Sequence, residues 1–206
     1  MTARLVALVS GRGSNMLAIA DACDAGRLPA RVVRVIANVA DAPALEAART
    51  RGIQTVVVPH RAFAGRDAFD AALGDAIAAA RPDWVVLAGF MRVLGASLVN
   101  RFAGRTLNIH PSLLPAYPGL DTHARALAAG EREHGASVHL VTAELDAGPV
   151  ILQARVPVLD DDDATTLAAR VLSREHDLYV AALARCLTRD KQNGATVAAS
   201  SRTLEP

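Results

Sequence analysis

The chain has 206 residues, 51% of them hydrophobic, with 22 basic against 21 acidic side chains for a formal net charge of +1. That is enough apolar chain for one α/β-sized domain. A charge balance so near zero excludes the broad basic footprint that a nucleic-acid backbone or anionic membrane requires, and 3% aromatic content excludes a stacking platform for single strands.

An apolar run at 5–9 opens the chain, too short for a signal-peptide core, and no charge-free stretch reaches the roughly 18 residues of a membrane span. Similar runs follow at 32–37, 55–58 and 84–88, separated by Ala-rich helical patterns at 15–25, 44–51 and 67–80. Near-continuous apolar strands alternating with helices predict a mostly parallel twisted sheet with helices on both faces, Rossmann-like in its N-terminal half.

After Phe90 the rhythm changes. A short strand at 106–109 leads into a loop at 110–120 stiffened by Pro111, Pro115 and Pro118. A helix at 122–129 comes next. Two β-rich runs, 137–142 and 150–156, flank a turn with Asp146, Gly148 and Pro149 and read as a hairpin or adjacent strands. Leu167, Val171, Leu178 and Ala182 then recur at helical spacing over 164–187. The polar, small residues 188–206 read as a flexible tail, leaving 1–187 as a single domain without repeats or linker. Cys23 and Cys186 stand alone, so neither a disulfide framework nor a zinc site is indicated, and a soluble cytoplasmic protein is expected.

Two places carry chemistry. SGRGSN, residues 10–15, lies where a strand yields to a helix: Gly11 and Gly13 permit positive φ, while Ser14 and Asn15 can cap the helix and offer donors to an anion. No Walker lysine is present, Met16 stands where a dinucleotide fingerprint has its third glycine, and the second strand runs into Asn38 instead of a ribose-binding acid. The pattern favours a phosphate monoester over NAD. A turn and N-cap without a ligand fits it equally well.

The second place is LNIHPSLLP, residues 107–115, where Asn108 and His110 share one face of a strand end. An amide that can donate to a carbonyl oxygen sits beside an imidazole that can move a proton. Asp146, far downstream, would orient that imidazole and favour its charged form, although a structural Asx turn explains the residue more economically. His134 and His139 have no partners at metal-ligand spacing, and His60, His123 and His176 read as surface or supporting residues. Ser112 lacks the nucleophile elbow of a hydrolase.

Taken together, SGRGSN, LAGFMRVL at 87–94, LNIHPSLLPAYPG at 107–119, HGASVHLVTAELDAGPVILQ at 134–153 and SREHDLY at 173–179 resemble the phosphoribosylglycinamide formyltransferase family over about residues 3–187. The resemblance implies the formyltransferase fold and transfer of a formyl group from 10-formyltetrahydrofolate to the amine of glycinamide ribonucleotide in purine synthesis. It implies catalysis by Asn108, His110 and Asp146, without metal. It implies that Gly13, Ser14 and Asn15 hold the substrate phosphate and Glu175 its ribose. Arg66, Met91, Arg92, Val93 and Leu94, with Thr142, Ala143, Glu144, Leu145 and Asp146, would line the folate pocket together with Asn108, and the loop from Pro111 to Thr122 would close one side. Residues 1–100 would then be a nucleotide-phosphate half and 101–187 a catalytic and folate half. Partners would be small molecules, and the working form a monomer or homodimer.

The sequence departs from that family at Val180, where Pro is common, and at Arg174, where Gln is common. Methionyl-tRNA formyltransferase and formyltetrahydrofolate deformylase are similar around the catalytic motif but carry additional domains, for which this chain is expected to have no residues. A deformylase-like hydrolase and a noncatalytic nucleotide-binding module are the alternatives.

Overall fold

A computed structural model describes residues 2–200, the side chains of 190–200 excepted. The helix expected over 164–187 continues to Ser200, through most of the stretch expected as a tail, and residues 201–206 lie outside the described residues.

The elements in chain order are β1 (Ala3–Val9), α1 (Ser14–Asp24), β2 (Ala30–Ala37), α2 (Pro43–Arg49), β3 (Gln54–Val57), α3 (Arg66–Ala78), β4 (Trp84–Leu87), α4 (Ala96–Arg101), β5 (Thr106–His110), α5 (Thr122–Ala128), β6 (Glu133–Leu140), β7 (Val150–Pro157) and α6 (Ala164–Ser200). They build one seven-stranded sheet in the order β3-β2-β1-β4-β5-β6-β7. Strands β1 to β5 pair in parallel, and β6 and β7 add antiparallel. The order reverses beside β1, so the carboxyl ends of β1 and β4 flank the crevice where open α/β sheets bind ligands.

Strand β1 shows why its run is apolar throughout. Leu5, Ala7 and Val9 face a core shared with Met16, Ile19, Leu45, Leu167 and Leu183. Val6 and Leu8 face the opposite core with Phe69, Leu73 and Leu98. Alternate side chains leave a strand on opposite faces, so a strand covered on both sides must be apolar at every position. Truncating Leu5 or Leu8 to Ala would cost roughly 2–5 kcal/mol. Tyr179 of α6, wholly buried, donates its hydroxyl between the carbonyls of Leu87 (3.1 Å) and Leu107 (3.0 Å), tying the long helix to β4 and β5. Burial raises its pKa well above the ordinary value, so the hydroxyl remains a donor.

Two elements depart from expectation. Helix α4 is a six-residue helix that the pattern did not reveal, and it buries Leu98 and Val99. Strand β6 begins at Glu133, four residues early, because Gly135 belongs inside it: a Cβ there would lie 1.9 Å from the Ala154 carbonyl oxygen on β7. Among the described residues no helix is long and apolar enough to cross a membrane.

Candidate active site

Strand β5 carries Asn108 and His110 to the carboxyl edge of the sheet, and its antiparallel register against β6 sets His139 opposite Asn108 and Ser137 opposite His110. The Asn108 Nδ2 lies 3.2 Å from His139 Nε2, and His139 Nδ1 lies 2.9 Å from the Leu140 carbonyl oxygen. A carbonyl only accepts, so His139 Nδ1 carries a proton, and its Nε2 faces both the Asn108 amide nitrogen and, at 3.6 Å, Asp146 Oδ1. His139 thus orients Asn108, a role that local spacing in the sequence does not reveal. Its signal is the strand register.

Asp146 sits in a left-handed turn at φ 52° and sends its carboxylate inward, its side chain only 7% exposed. Oδ2 lies 3.3 Å from His110 Nδ1 and accepts the Gly119 N–H at 2.9 Å, while Oδ1 lies 3.6 Å from His139 Nε2. The backbone at Asp146 does turn, but its carboxylate makes no Asx turn with its own chain neighbours and is instead directed to His110, His139 and the Gly119 N–H. Burial opposes ionisation of Asp146, but His139, the Gly119 N–H and the positive character of His110 prevail and hold its pKa below the ordinary carboxylate value.

The second His110 nitrogen, Nε2, lies 2.8 Å from the Tyr117 carbonyl oxygen. Both ring nitrogens face acceptors, an arrangement the doubly protonated ring satisfies. Tyr117 belongs to the proline-bearing loop, with φ at 55°. Hydrogen bonds hold that loop as well as prolines do: Ser137 Oγ donates to the Ser112 carbonyl (2.6 Å) and accepts the Leu114 N–H (3.0 Å), and Thr122 Oγ1 donates to the Pro111 carbonyl (2.7 Å).

Asn108, His110, His139 and Asp146 line a cavity of about 700 Å³. Met91, Arg92, Val93 and Leu94 form one wall and Thr142, Ala143, Glu144, Leu145 and Asp146 another, with Asn108, His110 and His139 between them and Pro111, Gly119 and Leu120 at one side. Met91, Val93 and Leu145 are apolar yet 70%, 49% and 52% exposed, a surface suited to a flat apolar ligand. Arg66 is not among the lining residues; it starts α3, with its Cδ beside Gly95, next to the 91–94 wall. His123, read as a supporting residue, lines the cavity and packs edge-on against His134, ring centroids 5.1 Å apart. Burial, with the neighbouring His134 and His110, lowers the His123 pKa to about 4.

The glycine loop forms a separate corner. Gly13 adopts φ 74° and is the N-cap of α1, and no side chain caps that helix, so Ser14 and Asn15 do not play the capping part expected of them. A Cβ on Gly13 would also lie 2.5 Å from the Ala44 Cβ, so close packing against α2 requires glycine there as well. Gly11, by contrast, does not take positive φ. Asn15 turns instead to α6, donating from Nδ2 to Glu175 Oε2 at 2.7 Å, while its buried Oδ1 has no partner. Burial raises the Glu175 pKa against the opposing effects of Asn15, His176 and His110. No side chain caps the first turn of α1, so its N–H groups are available as donors to an anion.

Comparison with known proteins identifies the family and the fold. The family model described as formyl transferase matches residues 3–183. The phosphoribosylglycinamide formyltransferase of Escherichia coli is 53% identical over 175 residues, covering 85% of this chain and 82% of that protein. The enzyme of the same name from Mycobacterium tuberculosis is 46% identical over 202 residues, covering 98% and 91%. The crystal structure of glycinamide ribonucleotide transformylase 1 from Symbiobacterium toebii matches with a TM-score of 0.87 at 46% identity, covering 89% of this chain and 86% of that one. With a family model spanning nearly the whole sheet and relatives this similar along their lengths, the chain belongs to the formyl transferase family.

Proposed function

We propose that this chain transfers a formyl group from 10-formyltetrahydrofolate to the amine of N1-(5-phospho-D-ribosyl)glycinamide, a step of purine synthesis carried out in the cytoplasm. The observation that carries the reading is the His110 ring, held between the Asp146 carboxylate and a carbonyl oxygen at the floor of a largely apolar cavity. That cavity is of the size and lining that a flat heterocyclic ligand needs, with backbone groups of 91–94 and 142–146 available to its polar edge.

The folate supplies an activated formyl carbon. When an amine attacks such a carbon, negative charge develops on the formyl oxygen and a proton must pass from the amine to the departing nitrogen. The Tyr117 carbonyl stands where such an oxygen would take the His110 Nε2 proton, so in the working complex the formyl oxygen replaces it as acceptor. Asn108 adds a second donor to that oxygen from the orientation His139 gives it. Asp146 balances the charge of the ring and accepts or relays the amine proton, its lowered pKa keeping it ionised at neutral pH. Gly13, Ser14 and Asn15 hold the phosphate through main-chain donors, and Glu175 meets the ribose hydroxyls after exchanging its contact with Asn15. The phosphate grip thus lies in 1–100 and the catalytic side chains in 101–187, while 91–94 and Glu175 cross that division.

One assay separates this reading from its rivals: follow folate product with and without the ribonucleotide. Release only in its presence is expected. Release without it means hydrolysis, and no release in either case means a binding module.

A further inference from the structure

The crevice beside β1 holds a side chain that none of the roles above uses. Ser10 is the first residue past β1 and the root of the glycine loop. Its N–H donates to the Gly89 carbonyl at 3.0 Å, its Oγ accepts the Met91 N–H at 2.8 Å, and its own proton goes to Asn38 Oδ1 at 2.6 Å. A backbone N–H can only donate, so Oγ accepts from Met91 and directs its single proton to Asn38. On the other side of Asn38, His60 Nδ1 lies 2.9 Å from its main-chain carbonyl oxygen and 3.2 Å from its Nδ2. Asn38 is 4% exposed, comes directly after β2 and does not swing freely. One hydroxyl thus bridges the segments that leave three adjacent parallel strands, β2, β1 and β4, at the point where the strand order reverses.

The segment it holds is anchored at its far end by buried Leu94 and the Gly95 N–H on Asp70, whereas the residues before Leu94 are exposed. Residues 91–94 belong to no helix or strand, and Met91 and Val93 are largely exposed. We propose that Ser10 is a positioning residue: its hydroxyl sets the 91–94 wall of the cavity from the root of the glycine loop, so that occupation of the phosphate corner and of the cavity is coupled through the Ser10–Met91 bond. The identity of the two ligands rests on the function proposed above; the mechanical link does not. Coupling between sites is reciprocal, so an anion that draws on the glycine loop shifts the Met91 amide, and a ligand against 91–94 shifts affinity at the loop.

The test uses the full chain with Ser10→Ala and Ser10→Thr. By amide hydrogen exchange without ligand, Met91 is protected in the wild type and in Ser10→Thr and exchanges freely in Ser10→Ala. Added inorganic phosphate, as a probe of the glycine loop, changes the Met91 amide signal in the wild type and Ser10→Thr and leaves it unchanged in Ser10→Ala. Equal exchange in all three proteins, a wild type indifferent to phosphate, or a phosphate response surviving in Ser10→Ala each overturns the inference. In turnover assays Ser10→Ala raises the KM for 10-formyltetrahydrofolate about five- to tenfold with kcat much less affected, and Ser10→Thr restores it. A merely structural serine would lower stability without that split. If the wild type fails to turn over, the proposed function falls while the exchange experiment still decides the role of Ser10.

Discussion

The corner beside β5 is made of side chains, and the corner beside β1 is made of main chain. In the first, an amide, two imidazoles and a carboxylate within 3.6 Å of their neighbours fix one another's protons. In the second, a glycine at φ 74° leaves the first turn of α1 without a side-chain cap, and its donors are peptide N–H groups. The difference explains how a chain of net charge +1 can offer an anion site, since the charge that matters there belongs to oriented peptide dipoles. It also predicts opposite sensitivities: removing side chains should cripple the first corner, whereas adding one should cripple the second.

His110→Ala and Asp146→Asn test the contrast most severely. Each should lower kcat by about 10²–10⁴ in a folded protein, with the ribonucleotide KM nearly unchanged. Turnover close to wild type for His110→Ala would sink the division of labour. Asn108→Ala should cost about 10²–10³, the loss of one oxyanion donor.

Gly13→Ala reverses the logic, since it adds an atom. Urea titration should show a loss of about 1–3 kcal/mol from the positive φ and the Ala44 contact, and the surviving folded protein should show a raised ribonucleotide KM with kcat little changed. An unchanged KM would tell against the phosphate corner. His139→Ala sits between the two kinds of site: kcat should fall less than for Asn108→Ala, and the two changes together should cost less than their sum, because one acts through the other.

The smallest effect concerns the imidazole beneath the first corner. His123 takes up its proton near 4 in the folded chain and near 6.5 when unfolded. Between those values the unfolded chain binds the extra proton, so stability falls as pH drops from about 6.5 toward 4. His123→Gln should flatten the stability profile over that window, measured by denaturant titration at several pH values; a profile of unaltered slope would remove His123 from the account.

Most of the sheet was legible because strands buried on both faces must be continuously apolar, as β1 and β4 are. Helix α4 was not, since six residues make less than two turns and leave no period to read. The start of β6 was hidden by Gly135, a residue that marks turns in general but here answers to the backbone of β7. Asn108 and His110 could be paired from their spacing, whereas His139 could not, because the partner of Asn108 is 31 positions away and is chosen by antiparallel register. Arg66, carried over from the resemblance, is not among the residues that line the cavity, although its Cδ packs beside Gly95, next to the 91–94 wall.

The Tyr117 carbonyl on His110 makes the loop a competitor of the substrate. An incoming formyl oxygen must win the Nε2 proton from a carbonyl already in place, so apparent affinity is intrinsic affinity multiplied by the fraction of molecules whose loop has let go. If that fraction were about one in a hundred, the apparent dissociation constant would be about a hundredfold weaker than the intrinsic one. Residues 111–121, which touch no reacting atom after release, would then set how much substrate the enzyme needs.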